Sequence, residues 1–525
     1  MFKFDGGTHI LRVVHGRDAH GTSETTIDSV FLGRVDFARL PTKEQLPSQS
    51  KSIGISRNGG VASVIDVMVF YGLAGVIFLA AIPYGSVEPW WKAVFQCLIF
   101  ALAGLSLFGQ MLRGETRRVT NRLNRGVLLP VLALIAFAVV QTIPWSTANL
   151  PGLGRVGRTL SVDAFQTWLF AIHLTALVLL GWMLVVHTDS QRRLRLLVNL
   201  IIVIGVVSAM FGIWRQASQR EVGFVLPYLR PALGYAQFIN YNHFAFLMEM
   251  ALGLVLGIVV CKGVAGKRLA IYLGAAVPMW VALVLANSRG GILSILCQVI
   301  FLALLLGAGS KKKGELRASE NRFFRASRMV AVRGVLIVAL LAGAVATLVF
   351  VGGDPLGVRL ETVPLELDRQ AADASTLRQS IWRATWEMIK DHPIAGVGFG
   401  GYATAIPKYH PASGETTPQE AHNDYLELLA SGGLIALIIC IWFVVSFLRA
   451  ARSEVEPDSR WSNVRYLRAA RLGALAGLLT VSIHSLVDFG LHIPINAFVF
   501  TVLLAIALVD AGGQEGQGTQ SNPAT

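Results

Sequence analysis

From about residue 62 to 511 the chain alternates long apolar runs with short polar connections. Runs able to cross roughly 30 Å of hydrocarbon must be helices, because lipid offers no partner to an unpaired backbone amide. The pattern predicts about twelve spans, at 64–82, 92–112, 127–143, 165–187, 194–214, 243–261, 268–286, 290–308, 334–351, 425–448, 467–487 and 494–510. Solid apolar blocks exclude a β-barrel, whose strands alternate short apolar and polar positions. The predicted fold is an all-α polytopic membrane protein.

Polar segments divide the rest. Residues 1–61 are rich in Gly, Ser, Thr and Arg, lack the apolar core of a secretory signal, and read as a disordered cytoplasmic tail. Spans one to nine fill 62–351, a long loop fills 352–424, the last three spans fill 425–511, and 512–525 read as a flexible tail. Orientation follows from basic residues. Alternate loops carry clusters such as Arg113, Arg117, Arg118 and Arg122, then Arg192, Arg193 and Arg195, then Lys311 to Lys313 with the arginines that follow. The intervening loops hold few. Both termini are therefore expected in the cytoplasm, with the 352–424 loop outside it.

Composition agrees: 54% hydrophobic and only 15% charged residues suit a bilayer. The net charge of +14 does not indicate nucleic-acid binding, because the basic residues are dealt out between spans and not gathered on one soluble face. Cys97, Cys261, Cys297 and Cys440 all lie in apolar runs without C-x-x-C spacing, so they read as buried hydrophobes.

The long loop has structure of its own. Leu377, Ile381, Ala384 and Met388 recur at helical spacing, with Trp382, Trp386 and Ile389 widening that face. Thr376 and Gln379 fit a capping box and Pro393 a stop, which predicts an amphipathic helix over 376–391 lying on the membrane or the bundle.

Several polar residues fall near the same outer level. Arg289, in Ser288-Arg-Gly-Gly291, is costly there unless it meets an anion or a wet cavity; lipid-phosphate snorkelling is the plainer reading. Arg378 and Arg383 lie on the amphipathic helix, where either alone would be a surface charge. A second guanidinium beside Arg289 could grip a diphosphate. His422 opens His422-Asn-Asp-Tyr425-Leu at the start of the tenth span, placed either to act as a base or to satisfy helix amides. Asn423 and Asp424 could cap that helix equally well. His484 and Asp488 share a helical face in the eleventh span, and a carboxylate there is a functional candidate or an interhelical clamp. Asn240, Asn242 and His243 begin the sixth span from the same side and either line the cavity or cap the helix. Arg383, Asn423, Tyr425, His484 and Asn242 are the expected substrate-binding residues.

Other patterns carry no chemistry. Gly396-x-Gly398-x-x-Gly401 lacks the preceding strand of a dinucleotide site. There is no P-loop, and no D-x-D or H-x-x-x-H cluster argues for a metal, so neither metal nor cofactor is expected.

The chain resembles the O-antigen ligase and polymerase family of bacterial membrane glycosyltransferases. The resemblance rests on Ser288-Arg289-Gly-Gly291, on Arg378-x-x-x-Trp382 with Asp391-His-Pro-Ile-Ala-Gly-Val-Gly398, on His422-Asn-Asp-Tyr425-Leu with Gly432-Gly433, and on Ser485-Leu-Val-Asp488-Phe with Ile493-Pro494. It covers about 64–511 and is strongest from 285 to 495. It implies a C-type glycosyltransferase-like fold in the bacterial inner membrane, with an active site between the bundle and the periplasmic loop. It also implies an undecaprenyl-diphosphate-linked glycan donor, an acceptor hydroxyl on glycan, lipid A core or protein, and contact with other polysaccharide-assembly proteins. By motif, Arg289 and Arg378 would bind diphosphate, His422 would activate the acceptor and Asp488 would support the site. The competing reading is a transporter or lipid-linked glycan flippase, against which the chain shows no pair of similar halves.

Overall fold

The computed structural model describes residues 57–113, 125–150, 154–218, 234–311, 372–412, 417–455 and 465–509. The expected tail up to residue 56, the ninth span at 334–351, the start of the long loop and the 512–525 tail lie outside the described residues, as do the basic residues between 312 and 333.

The other predicted spans are all helices, with ends shifted by a few residues: α1 (Arg57–Ala80), α2 (Pro89–Arg113), α3 (Arg125–Gln141), α4 (Ala164–His187), α5 (Gln191–Ala217), α6 (Tyr241–Val260), α7 (Lys267–Leu285) and α8 (Arg289–Lys311), followed after the amphipathic helix α9 (Ala372–Asp391) and the short α10 (Tyr402–Ala405) by α11 (Asp424–Val455), α12 (Arg465–His484) and α13 (Pro494–Leu508). Among the described residues, eight helices are long and apolar enough to cross a membrane, and apolar stretches in α3, α8 and α13 are shorter. One feature was not expected: an antiparallel hairpin of β1 (Ser146–Leu150) and β2 (Gly154–Arg158) joins α3 to α4. Its strands lack the apolar alternation by which a half-buried strand is recognised.

Helix α6 is the axis of the bundle, buried along nearly its whole length. It lies against α12, and glycines set that approach. Gly253 and Gly257 face Gly477 and Gly473, and a methyl group at Gly257 would collide with the Gly473 backbone. Without a hydrophobic drive between helices in lipid, such small-residue contacts supply the packing. Helix starts are capped by side chains. Asp163 accepts from the Gln166 amide at α4, Ser190 from Arg193 at α5, and Asn240 from Asn242 at α6.

The amphipathic helix begins at Ala372, a turn earlier than predicted, so Thr376 lies within it and is not its cap. The helix ends at Asp391, ahead of Pro393 as expected. Ile381, Ala384, Met388 and Ile389 form the buried face, packed with Val397, Tyr402, Ile406, Ala421 and Ala430 in a small core of their own; Trp386 is exposed.

Helix α11 is interrupted at Gly433, whose φ of 60° is a left-handed conformation natural to glycine. The interruption frees backbone groups that residues 393–398 fill. The Leu434 amide donates to the Pro393 carbonyl at 2.9 Å, while those of Val397 and Gly398 donate to Ala430 and Ser431 at 2.8 and 2.9 Å. Gly396 approaches so closely that a side chain would strike the Ser431 backbone. These glycines thus serve a backbone docking. Gln141 closes it from α3, donating to the Ala395 carbonyl at 2.7 Å and accepting from the Phe399 amide at 3.2 Å.

Candidate active site around Asp488

The starts of α6, α8 and α11, the end of α12 and the start of α13 meet at one end of the bundle, with α9 beside α11. Asp488, in the turn between α12 and α13, is at their centre with a side chain only 1% exposed. A carboxylate so far from water must be compensated on every side. Its Oδ2 accepts from Asn242 Nδ2 at 2.5 Å and lies 3.5 Å from an Arg378 guanidinium nitrogen. Its Oδ1 accepts the Phe489 amide at 2.9 Å and lies 3.5 Å from His422 Nδ1 and 3.9 Å from His243 Nε2. Burial pushes the Asp488 carboxyl up, but the His422 and His243 imidazoles prevail and hold it at about 2. Asp488 is thus an anion throughout the neutral range.

The network continues to the Ser288-Arg289-Gly-Gly291 turn. Ser288 Oγ donates to Asn242 Oδ1 at 2.8 Å and accepts the Gly291 amide at 3.2 Å. Arg289, the next residue, opens α8 with an exposed side chain. Beneath it, Gly290 leaves room for His484, whose Nδ1 lies 2.7 Å from Glu249 Oε1 and whose ring stacks on Phe246 at 4.1 Å.

His422 is held under strain. Its φ of 50° is uncommon for a bulky residue, and such conformations persist where surrounding contacts over-determine them. Here they do. The Trp382 indole donates to the Ala421 carbonyl at 3.0 Å, the Asp424 amide donates to Ser485 at 3.0 Å, and Asn423 Nδ2 donates to the Leu486 carbonyl at 2.8 Å. The Phe489 ring meets both His422 and His243 edge to face at 4.8 Å. His422 thus turns its Nδ1 toward Asp488.

The structure therefore brings Asn242, Arg378, His422 and Asp488 together and places Arg289 one residue from their network. Four expected site residues are engaged otherwise or stand apart. Asn423 caps α11, accepting from the Tyr425 and Leu426 amides at 3.0 Å. Tyr425 donates its hydroxyl to the Ser482 carbonyl at 2.7 Å. His484 is buried against Glu249. Arg383 is exposed, and five residues from Arg378 it points to a different side of α9. Glu249 escaped the sequence reading, although a lone acidic residue within an apolar span was a usable signal.

Residues 274–452 match the family model described as O-antigen ligase, from α7 through most of α11, a stretch that contributes Arg289, Arg378 and His422. Over this segment the chain is similar to the O-antigen ligase family. No curated protein matches the chain significantly. The family match and the apolar helices together support a multi-pass inner-membrane protein with a membrane glycan-transfer function.

Proposed function

We propose that this chain is a member of the O-antigen ligase family and transfers or polymerises glycan from an undecaprenyl-diphosphate-linked donor onto an acceptor hydroxyl in cell-envelope polysaccharide synthesis. The site faces the periplasm and both termini face the cytoplasm, as the distribution of basic residues favours. The observation that carries the reading is the buried carboxylate of Asp488, within 3.5 Å of both an arginine and a histidine.

In this mechanism Arg289 and Arg378 neutralise the diphosphate, a task a metal performs elsewhere. His422 takes the acceptor proton on its second ring nitrogen while Asp488 orients the ring and stabilises the imidazolium. The acceptor oxygen forms the new bond to the anomeric carbon. The carbon–oxygen bond to diphosphate breaks, its electron pair goes to the phosphate oxygen, and undecaprenyl diphosphate leaves. A single displacement inverts the anomeric centre.

The test is reconstitution with lipid-linked oligosaccharide and candidate acceptors. We expect an inverted product, loss of turnover in His422→Ala, and no rescue of Arg289→Ala by added Mg²⁺ or Mn²⁺. Retained configuration, or metal rescue of the arginine variant, would overturn the mechanism.

A further inference from the structure

A second group of ionisable side chains lies beside the loop that carries His422. Glu420, Asp424 and Glu427 come from that loop and the first turn of α11, and all three face His492 in the 3₁₀ turn Gly490–His492. Ligand atoms of Glu420, Glu427 and His492 all lie within 4.8 Å of one another. Glu420 Oε2 is 3.2 Å from His492 Nδ1. On the other ring nitrogen, Nε2 is 3.5 Å from Glu427 Oε1 and 3.7 Å from Asp424 Oδ1. The second oxygen of Glu427 accepts the Ala421 amide at 2.9 Å, which fixes how that carboxylate faces.

Two observations point beyond an ion pair. Both oxygens of Asp424 are closed off from solvent and have no hydrogen-bond partner, a costly state for a carboxylate. The separations at Nε2 are also too long for hydrogen bonds. They are close to the roughly 3.4 Å between neighbouring ligands of a tetrahedral ion with bonds of about 2.1 Å. Three carboxylates face two cations, the His492 imidazole and the Lys92 ammonium that acts on Glu420, which leaves negative charge that a divalent cation would balance.

We propose that Glu420, Glu427 and His492 form a site for a first-row divalent cation of the Zn²⁺ type, with the Asp424 carboxylate beside it. An imidazole ligand favours such an ion over Mg²⁺ or Ca²⁺. The ion joins the His422 loop to the turn that follows Asp488, and takes no part in the displacement. Local sequence patterns miss the site because His492 is remote in the chain from its carboxylates.

The experiment uses the full chain in detergent, free of any polyhistidine tag, stripped with chelator and titrated with Zn²⁺ alone by calorimetry. Uptake at one equivalent is expected, with a rise in the thermal midpoint. Binding should be lost in His492→Ala, Glu427→Gln and Glu420→Gln, and unchanged in Lys408→Ala, a surface position. No uptake by the folded wild-type chain, or uptake that persists in His492→Ala, overturns the site. Should His492→Ala fail to fold, unchanged affinity in Glu420→Gln does the same. Binding is read without substrate, so either result leaves the transfer reaction to its own test.

Discussion

Asn242 Nδ2 lies 2.5 Å from Asp488 Oδ2, which ties the start of the central helix α6 to the turn after α12. The same amide accepts from Ser288, so one side chain links the Ser288-Arg289 turn to the carboxylate that meets His422 and Arg378.

Asp488→Asn keeps the shape of this hub and removes its charge. Without the anion, His422 loses the group that sets its orientation and stabilises its protonated form. Turnover is expected to fall about 10²- to 10⁴-fold, the range for losing the carboxylate behind a histidine base. A steady-state assay on folded, membrane-inserted protein checks this.

The pH response of stability carries the same signature. The Asp488 carboxyl titrates at about 2, against about 3.9 for an unperturbed aspartate. Its stabilisation is therefore complete above the unfolded value and is lost as pH falls through the folded one. Thermal midpoints measured between those limits should drop more steeply for the wild type than for Asp488→Asn. Parallel curves would show that Asp488 is not held in its charged form.

Trp382→Phe removes the indole N–H that holds the Ala421 carbonyl while keeping an aromatic ring. A lost hydrogen bond of this kind costs about 1 kcal/mol. Because it sits one residue before the strained His422, the expected effect is on kcat more than on KM, with the thermal midpoint little changed.

Gly433→Ala tests the interrupted helix. A Cβ there would meet the Ile394 carbonyl, and the left-handed φ adds its own penalty of about 1–3 kcal/mol. Release of the 393–398 segment from α11 is expected, seen as faster proteolysis and a lower thermal midpoint in detergent.

The spans were legible because each buries or exposes a continuous apolar run, and the amphipathic helix was legible because Ile381, Ala384 and Met388 mark one face. What escaped depended on pairing across the chain. The break at Gly433 is defined by Pro393, Ile394 and Val397 docking into it, and a solid apolar run gives no hint of it. The hairpin after α3 has no alternating face. In the site, Asp488 and His422 stood out as costly residues at the right level, and their spacing along the chain could not say that they would meet. Asn423 and Tyr425 stood in the same motif as His422, yet they serve the backbone, a distinction that only geometry makes.

The central claim is that two arginines act on one diphosphate in one site. Single-turnover release of undecaprenyl diphosphate, measured for Arg289→Ala, Arg378→Ala and the double variant, tests it most directly. The account predicts a loss of at least about 10²-fold in each single variant, and a double variant much less impaired than the product of the two, since groups acting as a unit are not additive. Wild-type rates in either single variant, or losses that simply multiply, would contradict it.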